Sequence, residues 1–125
     1  MTQALEDHAA SLPGAWMVVQ WMGAHVFKVG PGEKAKVFAI FADKTARVTL
    51  KYADAETAAF LIEIGAAEKA PHLPRGGWAA FAFNDVDEDD LKGRIETSYD
   101  AVRATLTKAA QAEIAPRVQA SNLDI

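Results

Sequence analysis

The sequence contains no cysteine. That absence excludes a disulfide framework, a thiolate zinc site and a cysteine nucleophile together, and it fits a reducing compartment. No apolar run approaches the roughly 18 residues of a membrane-spanning helix, and Met1 to Asp7 lack the basic and apolar regions of a secretory leader. The expectation is a cytoplasmic protein with no membrane partner. Histidine is scarce too. His8, His25 and His72 show no i, i+4 pairing and no carboxylate at ligand spacing, so no metal or other cofactor is expected. The few serines, Ser11, Ser98 and Ser121, lie outside any Gly-x-Ser-x-Gly turn. No catalytic residue is assigned, and an enzyme or small-ligand binder is the third choice of function.

What is present is globular. Half the residues are hydrophobic and 24% are charged, over a length of 125 residues that suits one domain. The domain is expected over residues 1–115, with 116–125 as a C-terminal tail. Leu5 and Ala9, four apart before Leu12-Pro13-Gly14, predict a short first helix over 2–11. From Trp16 to Tyr52 the chain is rich in Val, Phe, Ile and Thr and broken by Gly and Pro. Strands are expected near 17–22, 25–30, 36–42 and 46–52. Asp54 caps a second helix with Ala55, Ala58, Ala59 and Ile62 on its inner side, closed by Gly65. Trp78 to Phe83 reads as a buried strand. Asp87 then opens one long helix carrying Leu91, Ile95, Val102, Leu106 and Ala109. The fold class is α+β: a two-layer, antiparallel β-sheet meander packed by N-terminal, middle and long C-terminal helices.

Within this pattern, Val37 to Phe41 is apolar at every position, which predicts an interior strand covered on both faces and leaves room for a homodimer or another protein partner. Arg47, Thr49 and Lys51 alternate with Val48, Leu50 and Tyr52, so one face of the fourth strand is core and the other basic and wet. The net charge is −4, yet six basic residues face two acidic ones between Lys28 and Lys51. Gly30-Pro31-Gly32-Glu33 opens no helix, and it reads as a hairpin turn rather than a phosphate loop. The acidic run from Asp85 to Asp90 reads as helix capping before cation binding. Trp16, Trp21 and Trp78 could stack a base, but core packing is the expected role.

Several short words in this order resemble the MmcQ/YjbR-like family. They are Leu12-Pro13-Gly14-Ala15, Phe27-Lys28-Val29, Lys36-Val37-Phe38-Ala39, Val48-Thr49-Leu50-Lys51, His72-Leu73 with Arg75 and Trp78, and Ser98-Tyr99. The resemblance covers about residues 4 to 110. It implies an antiparallel sheet between terminal helices, likened to frataxin and to secretion chaperones, and a double-wing DNA-binding motif. Carried onto this chain, the binding positions are Lys28, Lys36 and Lys51, with Arg75 where the family usually has lysine. Gly76-Gly77 departs from the bulkier polar residues that often precede the family's Trp.

The expected function is weak, sequence-tolerant DNA binding through Lys28, Lys36, Arg47, Lys51 and Arg75, electrostatic in character. The alternative is a chaperone- or adaptor-like module that binds a protein partner through apolar strand surface such as Val37 to Phe41 or Trp21.

Overall fold

The computed structural model describes residues 2–70, 73 and 76–116. His72, Arg75 and the expected tail from residue 117 lie outside the described residues. Helix α1 (Thr2–Ser11) buries Leu5 and Ala9, as their four-residue spacing requires, and ends at the Leu12-Pro13-Gly14 turn. Strands β1 (Ala15–Gln20), β2 (Ala24–Val29), β3 (Lys36–Ala42), β4 (Arg47–Lys51) and β5 (Trp78–Ala82) form one sheet in the order β1-β2-β3-β4-β5. Every neighbouring pair is antiparallel. Between β4 and β5 runs α2 (Ala55–Glu63), whose Asp54 side chain accepts from the Glu56 N–H as an N-cap. Helix α3 (Glu88–Arg103) lies across β2, β3 and β4 beside α1, and the short α4 (Lys108–Ala112) follows it.

Helices α1 and α3 cover one face of the sheet. Its side chains Phe27, Val29, Phe38, Ala39, Phe41, Val48, Leu50, Ala79 and Phe81 form the core with Leu91, Ile95, Tyr99 and Val102. Each such large side chain removed from water contributes on the order of 1.5–3 kcal/mol. The ring of Phe38 meets Tyr99 edge-on at 5.5 Å, and Phe27 meets Phe41 in the same manner at 5.5 Å. Alternation sends Trp16, Val18, Val26, Lys28, Val37, Ile40, Arg47, Thr49, Lys51, Trp78 and Ala80 to the opposite, more open face, where Val26, Thr49 and Ala80 are nonetheless buried.

The β2–β3 ladder slips by one residue between Phe27 and Lys28. Because of this bulge, Phe38 and Ala39 both enter the core, although they are consecutive. The unbroken apolar run of β3 therefore reflects a change of strand parity; its open-face residues Val37 and Ile40 are only half-buried. At the same place the β3–β4 pairing ends at Ala39 and Leu50. Ser98 of α3 fills the gap: its Oγ accepts from the Lys51 N–H at 2.7 Å and donates to Phe38 O at 2.5 Å. One residue on, the Tyr99 hydroxyl donates to Pro13 O and ties α3 to the turn between α1 and β1.

Several sequence expectations need correction. The first hairpin turns earlier than expected, because Trp21 and Met22 adopt positive φ (48° and 64°) and form the turn with Gly23. None of the three tryptophans is fully buried, and Trp21 stands 58% exposed. The expected single long C-terminal helix breaks after Arg103, where Thr107 starts α4 by accepting from the Ala110 N–H. Ala110 thereby replaces Ala109 in the core. On α2, Ala58 is buried and Leu61 and Ile62 are half-buried, whereas Ala55 and Ala59 face water. Thr49, expected on a wet face, is only 8% exposed.

Candidate functional site

The open face is organised in rows that run across the strands. One end of it carries Trp16 opposite Lys28, Lys28 opposite Val37, and Lys51 opposite Trp78. Two lysines are thus bracketed by two tryptophans. The Lys28 ammonium lies 5.5 Å from the centre of the Trp16 ring, and the Lys51 ammonium 5.3 Å from that of Trp78. Each contact is worth about 0.5–1 kcal/mol and holds the charge above an aromatic surface. The Trp16 indole N–H donates to Gly30 O at 2.9 Å, which fixes the ring's tilt. Lys51 also donates to Gly76 O at 3.0 Å. Among the described residues neither lysine is held in an ion pair.

The glycines before Trp78 are explained by this packing. Gly77 has φ +99°, and a Cβ there would come within 2.9 Å of Tyr52 O and 3.0 Å of the Lys51 ammonium. A bulkier residue would displace Lys51 from the tryptophan. Gly76 and Gly77 thus shape the lysine's seat.

The remaining expected site residues are not brought to this band. Arg47 is on the open face at its far end, where its Nε donates to Glu68 Oε2 at 2.8 Å and its Nη1 to Thr45 O at 2.8 Å. Lys36 faces the helix layer, paired in register with the core residue Val29, and its ammonium donates to Thr105 O at 3.1 Å. The bulge reverses strand parity between Lys36 and Ile40, a geometry that strict alternation could not foresee. Arg75 lies outside the described residues.

Beyond the band, a groove of about 840 Å³ runs along the open face. Its floor is Ala24, Ile40, Ala42, Thr49 and Ala80, and Trp21, Arg47 and Lys69 stand at its rim. His8 and His25 lie elsewhere, against the helix layer. His25 Nδ1 lies 2.6 Å from Glu6 and His8 Nε2 lies 2.8 Å from Glu96. The hydrogen bond to Glu6 raises the His25 pKa above its ordinary value, opposed by partial burial and helped by the charges of Glu6 and Asp43. Asp87 caps α3 by accepting from the N–H groups of Asp89 and Asp90, so the acidic run acts as a helix cap. Among the described residues no three His, Asp or Glu side chains converge as a metal site.

The YjbR family model matches residues 10–101, nearly three-quarters of the chain. The chain belongs to the YjbR family. A solved structure of the same fold is the Deinococcus radiodurans protein DR2400, which carries a DUF419 domain. The two share 23% sequence identity over 90% of this chain and 86% of that one, with a TM-score of 0.79. At that identity the likeness is one of fold. No curated protein matches the sequence. In this YjbR-family chain, several words that carried the resemblance are joints of the fold. Leu12-Pro13-Gly14 receives the Tyr99 hydroxyl, while Lys36 to Ala39 and Val48 to Lys51 flank the bulge that Ser98 closes.

Proposed function

We propose that the protein binds single-stranded nucleic acid weakly and without strong sequence preference, through Trp16, Lys28, Lys51 and Trp78. The observation that carries this reading is the pairing of each lysine with a tryptophan at one end of an open sheet face. Lysines on such a surface neutralise phosphates, and aromatic rings beside them offer stacking surface to unpaired bases. The duplex reading has less support. Arg47 is engaged by Glu68 and Lys36 faces the helices, which leaves two strand lysines where the sequence suggested four strand positions.

The test is a fluorescence-anisotropy titration of a mixed-sequence oligonucleotide, single-stranded and duplex, against the protein and its Lys28→Glu/Lys51→Glu variant. The reading expects preference for the single strand and loss of binding in the variant. Equal binding by the variant would remove this surface from consideration. A second reading, a protein-interaction module, rests on the apolar groove overhung by Trp21 and Met22. It expects association that persists in salt and is weakened by Trp21→Ala.

A further inference from the structure

The two edges of the sheet are treated differently. At β5 the outer edge is closed by Glu68, whose N–H donates to Ala80 O at 2.8 Å and whose carbonyl accepts from the Ala80 N–H at 2.9 Å. At β1 no described strand covers the outer edge. The Gly30 N–H donates to Gly14 O at 3.1 Å, so 14 and 30 form a hydrogen-bonded pair in the β1–β2 register. Alternation then turns the main chain of Trp16, Val18 and Gln20 toward β2 and that of Met17 and Val19 outward. No turn, loop or side chain among the described residues bonds those outward groups.

Free edges are normally blunted by lysine, proline, a bulge or a covering segment. From Ala15 to Ala24 there is no charged residue and no proline, and the β1–β2 register runs unbroken. The same arm concentrates exposed apolar surface. Of seven large exposed hydrophobic residues among those described, five are Trp16, Met17, Val19, Trp21 and Met22, with Val19 at 61% and Met22 at 91%. Unsatisfied strand groups and apolar side chains therefore coincide on one edge.

We infer that β1 pairs with β1 of a second copy, antiparallel about a two-fold axis through Val18, to make a continuous ten-stranded sheet. A second copy fits because the register is self-complementary. With Val18 on the axis, Met17 of each chain lies opposite Val19 of the other as a hydrogen-bonded pair, which uses all the outward groups of both residues. Trp16 meets Gln20 on the open face. No like charges face each other across the junction, which a chain of net charge −4 offers over few stretches of this length. Trp21 and Met22 extend the contact beyond the strand. A strand pair alone falls short of the roughly 1,200 Å² of a stable specific interface, so the dimer is expected to form at high micromolar concentration.

The 125-residue chain at about 1 mM, by sedimentation equilibrium without dilution, should show a weight-average mass well above its 13.4 kDa, whereas Val19→Lys should stay monomeric at the same concentration. Far-UV circular dichroism checks that this variant is folded. A second arm does not depend on it. Since the chain has no cysteine, Val18→Cys places a single thiol on the axis, where non-hydrogen-bonded neighbours are about 4.5 Å apart between Cα atoms and can form a disulfide. Under mild oxidation it should cross-link much faster than Ala59→Cys, on an exposed face of α2. A monomeric wild type at that concentration would overturn the inference. So would a dimer indifferent to Val19→Lys, or equal cross-linking at Val18 and Ala59.

Discussion

Salt dependence gives the proposed binding surface a number. Each phosphate contact to a single strand contributes a slope of roughly −0.7 to the log–log dependence of affinity on salt. Of the expected basic positions among the described residues, Lys28 and Lys51 are the two that supply such contacts at the tryptophan band, because Arg47 is paired with Glu68 and Lys36 points to the helix layer. Two contacts give a slope of about −1.4, so raising salt from about 50 to about 200 mM should weaken binding roughly 7-fold. Had all five basic positions taken part, the slope would be about −3.5 and the loss roughly 130-fold. The two cases are far enough apart for an anisotropy titration at three or four salt concentrations to separate them. Lys51→Ala should lower the slope by about 0.7 and leave the duplex-to-single-strand preference in place. A slope near zero would refute the electrostatic account, and one near −3.5 would refute the assignment to two lysines.

Other consequences concern the joints of the fold and one titrating group. Ser98→Ala leaves the Lys51 N–H and Phe38 O unpaired beneath a fully buried site and should cost about 1–3 kcal/mol, read as a lowered urea midpoint with an unchanged m-value. Tyr99→Phe keeps the ring against Phe38 but loses the bond to Pro13 O, and should cost about 1 kcal/mol by the same measurement. His25 has its pKa raised by Glu6, so the stability this pair adds is fully present below about pH 6.5 and is lost as pH rises through the folded-state value. The difference in thermal midpoint between wild type and Glu6→Gln should therefore shrink from pH 5.5 toward about pH 8; a difference that grows with pH would refute the sign.

Much of the fold was legible because local patterns and tertiary packing agree. Leu5 and Ala9 marked α1, Asp54 and Asp87 marked helix starts, and the alternation of β4 separated Val48 and Leu50 from Arg47 and Lys51. What escaped were features with no local signature. Nothing in Lys36-Val37-Phe38-Ala39 announces a bulge, and the bulge is what separates Lys36 from Lys28. Trp21 and Met22 have strand-forming side chains yet occupy turn positions with positive φ, which shifted the expected strand and hid their exposure. The break after Arg103 preserves a helical spacing through Leu106, so only the Thr107 cap signals it. In the candidate site, Lys28 and Lys51 were visible as charges; their seats on Trp16 and Trp78 required the register of four strand pairs.

The tryptophans provide the most direct test of the binding face. Their three indole N–H signals can be followed in a two-dimensional nitrogen–proton NMR spectrum while a short mixed-sequence single strand is added at low salt. The account predicts that the Trp16 and Trp78 signals move together in a saturable manner while that of Trp21, at the far end of the face, stays in place. Movement confined to Trp21, or no indole movement at all, would contradict it.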